Sequence, residues 1–217
     1  MTPRTLSTGI FVVTDSLQCR ARGLVGTVLD AVNAGVKTVQ IREKSASACE
    51  FLELVVRVAT AVEGKATVLV NDRVDVYLAA QTAGADVHGV HVGQDDLPVS
   101  LVRSIVGTRA IVGLTANSAA HLKAVQLLPR GTVDYLGVGV IRGSATKADH
   151  PIPLGIEGFA RFVAQTDLPC VAIGGIRHGD VSALRVSGAH GVAVVSEICA
   201  APDPRLAAAR LVQEWTI

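Results

Sequence analysis

In the stretch Gln40-Ile41-Arg42-Glu43-Lys44, an amide and two cations recur at every second position. The stretch follows Gly35 and the run Val36-Lys37-Thr38-Val39, whose β-branched content is that of a strand. Alternate side chains of a strand share a face. Gln40, Arg42 and Lys44 therefore point one way, and Val39 and Ile41 point the other way, toward packing. One face of a strand's C-terminal end then carries a planar fork, a point charge and an orientable amide, which together suit a multidentate anion. Taken alone, three spaced polar residues read first as a solvated strand end.

Two further clusters change the balance. Asn71-Asp72-Arg73 follows the run Thr67-Val68-Leu69-Val70, and Gly93-Gln94-Asp95-Asp96 follows Gly89-Val90-His91-Val92. Each alone reads as turn chemistry ahead of a helix, with Pro98 suited to a first helical turn. Together they place Asp72 and Asp96 at the ends of neighbouring strands, where two carboxylates can share a magnesium ion that keeps waters and takes phosphate oxygens as remaining ligands. Arg42, Lys44 and Lys147 would take other phosphate oxygens and stabilise the charge on a departing diphosphate. Each such charge-assisted bond is worth ~1.5–3 kcal/mol. Ala172-Ile173-Gly174-Gly175-Ile176 and Val194-Val195-Ser196-Glu197 suggest a second site, in which backbone N–H groups hold a phosphate monoester. Glycines there let the backbone come close to the ligand.

These residues need a frame. The periodicity predicts strands over Gly9–Asp15, Val36–Arg42, Thr67–Val70, Gly89–Val92, Ala110–Gly113, Val133–Val140, Pro169–Ile173 and Gly191–Val195. Helices are expected over Arg22–Asn33, then from a cap at Ser45 or Ser47 through Val62, and over Val74–Gln81 and Pro98–Val106. Further helices should run from a cap at Asn117 or Ser118 to Leu127, and over Gly155–Ala164, Asp180–Ser187 and Pro204–Trp215. Strand and helix alternate eight times in 217 residues, about 27 per unit, which fits a compact (β/α)₈ barrel, the TIM-barrel class, of phosphate-binding type. Near-continuous apolar runs such as Val192-Ala193-Val194-Val195 suit parallel strands buried on both faces. A doubly wound sheet would carry a G-x-G-x-x-G turn after its first strand, and Thr14-Asp15-Ser16 is unlike one. No linker or low-complexity segment interrupts the chain, so residues 1–217 read as a single barrel domain.

Composition narrows the function classes. The chain is 49% hydrophobic but only 3% aromatic, so its core is built from aliphatic side chains. A net charge of +1 provides no basic field for nucleic acid, and no basic run suits a membrane surface. No apolar stretch reaches membrane-spanning length, and Ile10-Phe11-Val12-Val13 is too short for a signal sequence. A cytoplasmic location is expected, with small molecules as ligands, and the chain is compatible with a homo-oligomer. Cys19, Cys49, Cys170 and Cys199 are widely spaced without a C-x-x-C pair, so buried free thiols are expected rather than zinc or disulfides.

In order and spacing, these motifs resemble the thiamine phosphate synthase family over nearly the whole chain. The resemblance is carried by Gln40-x-Arg42-x-Lys44, Asn71-Asp72-Arg73, Gly89 to Leu97, Gly113-Leu114-Thr115, Asp134 to Gly139, Thr146-Lys147, Ala172 to Ile176 and Gly191 to Ser196. It implies a magnesium-dependent transferase that joins a hydroxymethylpyrimidine diphosphate to a thiazole phosphate by a dissociative substitution. The catalytic residues it implies are Arg42, Lys44, Thr115 and Lys147. The pyrimidine diphosphate would lie on Gln40, Ile41, Arg42, Glu43, Lys44, Asn71, Thr115 and Lys147, with magnesium on Asp72 and Asp96. The thiazole phosphate would lie on Ser144, Ala145, Thr146, Gly175, Val195 and Ser196. No protein nucleophile is implied, in keeping with the absence of an evident Ser–His or Cys–His pairing.

One loop departs from the family pattern. A proline and an aromatic usually lead into Thr-x-Thr-Lys, whereas here Arg142-Gly143-Ser144-Ala145-Thr146-Lys147 follows Val140-Ile141. Ser144 keeps a hydroxyl, and Arg142 is expected to add a cation to the thiazole phosphate. His91 reads as a packed strand residue. His88 and His91 would face opposite ways, and the other histidines read as surface. Three rival functions are a thiazole tautomerase-like isomerase, a non-catalytic phosphate-ligand barrel and a sugar-phosphate epimerase. Asp96 and Thr146-Lys147 argue against the first, and the intact metal and diphosphate set against the second. The third would need an acid/base pair across the ring.

Overall fold

A computed structural model, which describes residues 6–19, 22–143 and 152–217, closes eight parallel strands into a ring. The strands are β1 (Gly9–Val13), β2 (Thr38–Ile41), β3 (Thr67–Asn71), β4 (Gly89–Val92), β5 (Ile111–Thr115), β6 (Tyr135–Gly139), β7 (Cys170–Ile173) and β8 (Gly191–Val194). Each pairs with the next, and β8 pairs with β1, so no strand edge is left open. The helices are α1 (Gly23–Asn33), α2 (Ala48–Ala61), α3 (Val74–Thr82), α4 (Val99–Val106), α5 (Ala119–Gln126), α6 (Gly155–Val163), α7 (Val181–Val186), α8 (Ser196–Cys199) and α9 (Pro204–Thr216). This is the expected (β/α)₈ barrel. The short α8, which the periodicity did not indicate, lies between β8 and α9.

Strand alternation sorts the side chains into two layers. Phe11, Val13, Leu69, Ile111, Tyr135, Val171 and Ala193 fill the barrel's interior. Their neighbours along the strands, among them Val12, Val39, Ile41, Val70 and Val112, pack outward against the helices. Burial on both faces is why these segments read as continuous apolar runs. Every strand but β4 has a limit that differs from expectation by one or two residues, and three of these differences show their partners. β1 ends at Val13, and Thr14 engages the segment after the neighbouring β2 through its side chain, where its Oγ1 accepts from the N–H of Arg42 at 2.9 Å. β2 starts at Thr38, paired with Phe11 and Thr67, rather than at Val36. β5 continues past Gly113 because Thr115 pairs with Gly137 of β6.

The ends of the helices resolve the capping choices. Ser47, not Ser45, caps α2: its Oγ accepts from the N–H of Glu50, and the Glu50 carboxylate accepts from the N–H of Ser47 at 2.8 Å. Ser118, not Asn117, caps α5 through the N–H of His121 at 3.2 Å. Asp203 caps α9, with Oδ1 accepting from the N–H of Leu206 at 3.0 Å and Pro204 at the first helical position. Asp203→Ala is expected to cost about 1 kcal/mol, since it leaves that amide without its acceptor. Urea unfolding measures this, and an unchanged midpoint would mean that α9 is held by packing alone.

All four cysteines are free thiols. Cys19, Cys170 and Cys199 are buried as expected, but Cys49 is exposed in the first turn of α2, on a face that α2 does not pack. Among the described residues, no helix is long and apolar enough to cross a membrane.

Candidate active site

The C-terminal ends of the strands bring the first cluster together. Gln40 is buried inside the barrel, and its Nε2 donates to Asn71 Oδ1 at 2.5 Å, which joins β2 to β3. Arg42 lies just past β2. Its backbone is gripped by Thr14, whose hydroxyl also donates to the Arg42 carbonyl at 3.2 Å. Its guanidinium lies 3.8 Å from the Asp15 carboxylate. Lys44 is exposed at the rim. The Glu43 carboxylate accepts from the Ser16 hydroxyl and from the N–H of Ser45, so it braces the loops after β1 and β2. Ile41 faces the helices and is fully buried, so its side chain is not part of the mouth.

Asp72 follows β3 directly. It adopts φ of 62°, the left-handed region that Asp and Asn tolerate better than most residues. Its N–H donates to the His91 carbonyl at 2.8 Å, which sets the turn against β4. Burial, then the charge of Asp96 and a hydrogen bond between the two carboxyl groups, push Asp72 up to about 6. The charges of Lys44 and Arg42 pull in the other direction. Asp96 is oriented by the N–H of Gly93, which donates to Oδ2 at 2.7 Å. Two carboxyl groups that interact at neighbouring strand ends fit a divalent ion that keeps positions for water and phosphate oxygens. Among the described residues no group of three or more His, Cys, Asp or Glu side chains gathers in a way that could hold a metal ion.

Deeper in the barrel, His91 occupies a slot made by glycines. Its Nδ1 lies 2.8 Å from Tyr135 Oη and its Nε2 lies 3.0 Å from Thr115 Oγ1. Burial lowers His91 to about 4, so the ring is neutral near pH 7. Burial likewise pushes the Tyr135 phenol up, so it keeps its proton. The chain of contacts orients the Thr115 hydroxyl, and Gln94 Nε2 donates to the Thr115 carbonyl at 2.5 Å. His88 turns away from His91: its Nδ1 accepts from the N–H of Val68 at 3.2 Å.

Across the ring, Gly174 and Gly175 follow β7 with φ of 98° and 65°. A Cβ on Gly174 would lie 2.5 Å from Val140 Cγ1, and one on Gly175 would lie 2.6 Å from the Arg142 carbonyl oxygen. Only glycine fits between these strand ends. Val195 and the exposed Ser196 stand next to this turn, at the end of β8 and the start of α8. Arg142, expected as a free cation, is instead paired. Its Nε and Nη2 donate to the Asp180 carboxylate at 3.0 and 2.6 Å. Ser144, Ala145, Thr146 and Lys147 lie outside the described residues.

The Arg142 pair has a consequence for acid stability. Asp180 is held below the ordinary carboxylate range by the Arg142 guanidinium first and by the N–H of Arg177. A carboxyl with a depressed folded pKa contributes stability that is fully present above its unfolded value, about 4, and is lost as pH falls below that. Thermal melts should therefore show wild type above Asp180→Asn at pH 6, with the gap closing toward pH 3. A gap independent of pH would remove the ion pair as its cause.

Two contributors escaped the sequence reading. Asp15 lies just past β1, at a strand end like Asp72 but without a cation or amide beside it in the sequence. Taking all eight strand ends in turn would have found it. Asp180 is 38 residues from Arg142, and no local signal joins them.

The fold and site define a class: a (β/α)₈ barrel with a carboxylate pair and cations on one flank of its mouth and a Gly-Gly turn on the other. Residues 10–198 match the family model described as thiamine monophosphate synthase. A thiamine-phosphate synthase of Psychrobacter sp. (strain PRwf-1) is 40% identical over 212 residues, which is 94% of each chain. One from Azorhizobium caulinodans is 41% identical over 210 residues, covering 96% of this chain and 95% of that one. Among solved structures, a thiamine phosphate pyrophosphorylase from Pyrococcus furiosus superposes with a TM-score of 0.83 at 28% identity, over 96% of each chain. The chain belongs to the thiamine monophosphate synthase family.

Proposed function

We propose that this barrel transfers a pyrimidinylmethyl group from 4-amino-2-methyl-5-hydroxymethylpyrimidine diphosphate to 4-methyl-5-(2-phosphoethyl)thiazole or its carboxylated form. The products are thiamine phosphate and diphosphate. One observation carries the reading: Asp72 feels the charges of Asp96, Arg42 and Lys44 at one strand-end mouth, in a chain whose relatives are named thiamine-phosphate synthase. Residues 1–217 would act as one catalytic domain, in the cytoplasm.

Asp72 and Asp96 are the residues to hold magnesium, which when bound supplies positive charge to diphosphate oxygens. Gln40, Arg42, Lys44, Asn71 and Thr115 bind and orient the pyrimidine diphosphate, and Lys147 joins them. The C–O bond to the diphosphate breaks and its electron pair leaves with the diphosphate. Arg42 and Lys44 stabilise the charge that gathers there. The aminopyrimidine ring stabilises the methylene cation, and the thiazole nitrogen supplies the pair for the new C–N bond. Gly175, Val195 and Ser196, with Ser144, Ala145 and Thr146, hold the thiazole phosphate so that its nitrogen faces the cation.

The test is to mix the purified protein with both substrates and magnesium and to quantify thiamine phosphate and diphosphate. Equal amounts of the two are expected, with none formed when a chelator is in excess. Folded protein that makes neither product would overturn the proposal.

A further inference from the structure

Arg142 touches the loop between β7 and α7 at both of its ends. At the start of the loop, the Arg142 N–H donates to the Gly174 carbonyl at 3.0 Å, and the Arg142 carbonyl oxygen occupies the space that a Cβ on Gly175 would need. At the far end, its guanidinium makes the two-point contact with Asp180 described above. Asp180 in turn closes the loop on itself: Oδ2 accepts from the N–H of Arg177 at 3.1 Å, and its own N–H donates to the Arg177 carbonyl at 3.1 Å. The Asp180 side chain is only 9% exposed, whereas that of Arg142 is 53% exposed. The carboxylate is thus set into the fold, and the arginine reaches over the loop to meet it.

We infer that Arg142 is a positioning residue that spans the loop from Gly174 to Asp180 and, with Asp180, fixes the direction of the Gly175 amide toward a bound phosphate ester. The inference deepens the proposed function and rests on Gly175 holding the thiazole phosphate. Gly174 and Gly175 give the turn its close approach, but glycines also leave it the widest backbone freedom. A planar fork on a carboxylate restricts that freedom because both groups are directional. An arginine already engaged in this way acts on the phosphate through the loop and not as a free cation. Lysine could not replace it in full, since an ammonium offers a point charge and no fork.

The experiment compares Arg142→Ala, Asp180→Ala and the double variant by steady-state kinetics in both substrates. Each single variant is expected to raise KM for the thiazole phosphate about tenfold, and the double variant no further, because the two residues act as one unit. KM for the pyrimidine diphosphate should move by less than about twofold. Arg142→Lys should recover only part of the loss. If Asp180→Ala leaves the thiazole phosphate KM unchanged while Arg142→Ala raises it, the guanidinium itself meets the phosphate and the inference fails. It also fails if both KM values and the melting temperature change together, which would mark a general structural role. Should an alanine variant not fold, Asp180→Asn and Arg142→Lys give the same comparison. Hydrogen exchange of the amides from Gly174 to Asp180 should rise in every variant. That readout needs no substrate, so a wild type that makes no thiamine phosphate would sink the proposed function while the loop measurement still judged the clamp.

Discussion

Asp72→Asn is expected to lower turnover by ~10²–10³-fold, the scale for losing one preorganised electrostatic contributor at a site of charge development. The substitution is close to isosteric, and Asn accepts the left-handed backbone that φ of 62° imposes. The loop after β3 should therefore keep its shape and its hydrogen bond to the His91 carbonyl. What changes is charge. Asp72 is raised to about 6 by burial and by its neighbour Asp96, so the ion-free protein already bears the cost of crowding two carboxyl groups. Removing one of them should leave the melting temperature of the metal-free protein unchanged or raise it. The variant should also need more magnesium to reach its own maximal rate. Turnover and melting temperature are thus expected to move apart. Full turnover at low magnesium would end the metal assignment, and a collapse of the melting temperature would point to a backbone role.

The second large effect concerns the fold. In Gly113→Ala the new Cβ would lie 2.2 Å from Tyr135 Cζ and 2.5 Å from His91 Nδ1. Neither ring has room to retreat. Tyr135 is 2% exposed, His91 is 8% exposed, and a side chain on Gly137 would itself meet His91 Cε1 at 2.9 Å. A loss of about 3 kcal/mol or more is expected, at the upper end for overpacking in a filled core. Denaturant unfolding measures it. Tyr135→Leu introduced with Gly113→Ala should restore part of the loss, because it removes the nearest ring atoms. A single variant as stable as wild type would mean that the His91–Tyr135 pair sits elsewhere.

Much of the architecture was legible before the fold was known. Alternation identified eight strands, and the polar ends of those strands pointed to one mouth. Arg42 and Asp72 stand just beyond strand ends, where pairing stops, and Gln40 lies one residue before the end of β2 with its amide held by Asn71. The boundaries were less legible. β5 runs on to Thr115 because of a partner on β6, and past the end of β1 Thr14 engages Arg42 through its side chain. Both contacts depend on a neighbouring strand, so neither can be read from local propensity.

The order of residue types was enough to specify a barrel, the mouth at which its chemistry gathers, and the carboxylates and cations available there, because strand period and turn composition are local properties. Only closure of the ring decided who meets whom. It set Asp72 against Asp96, engaged Arg42 with Asp15, and turned Arg142 from a free cation into the partner of Asp180. The reason is one of range. A charge pair acts over a few ångströms of space, and the separation of two residues along the chain carries no information about that distance until the strands have closed.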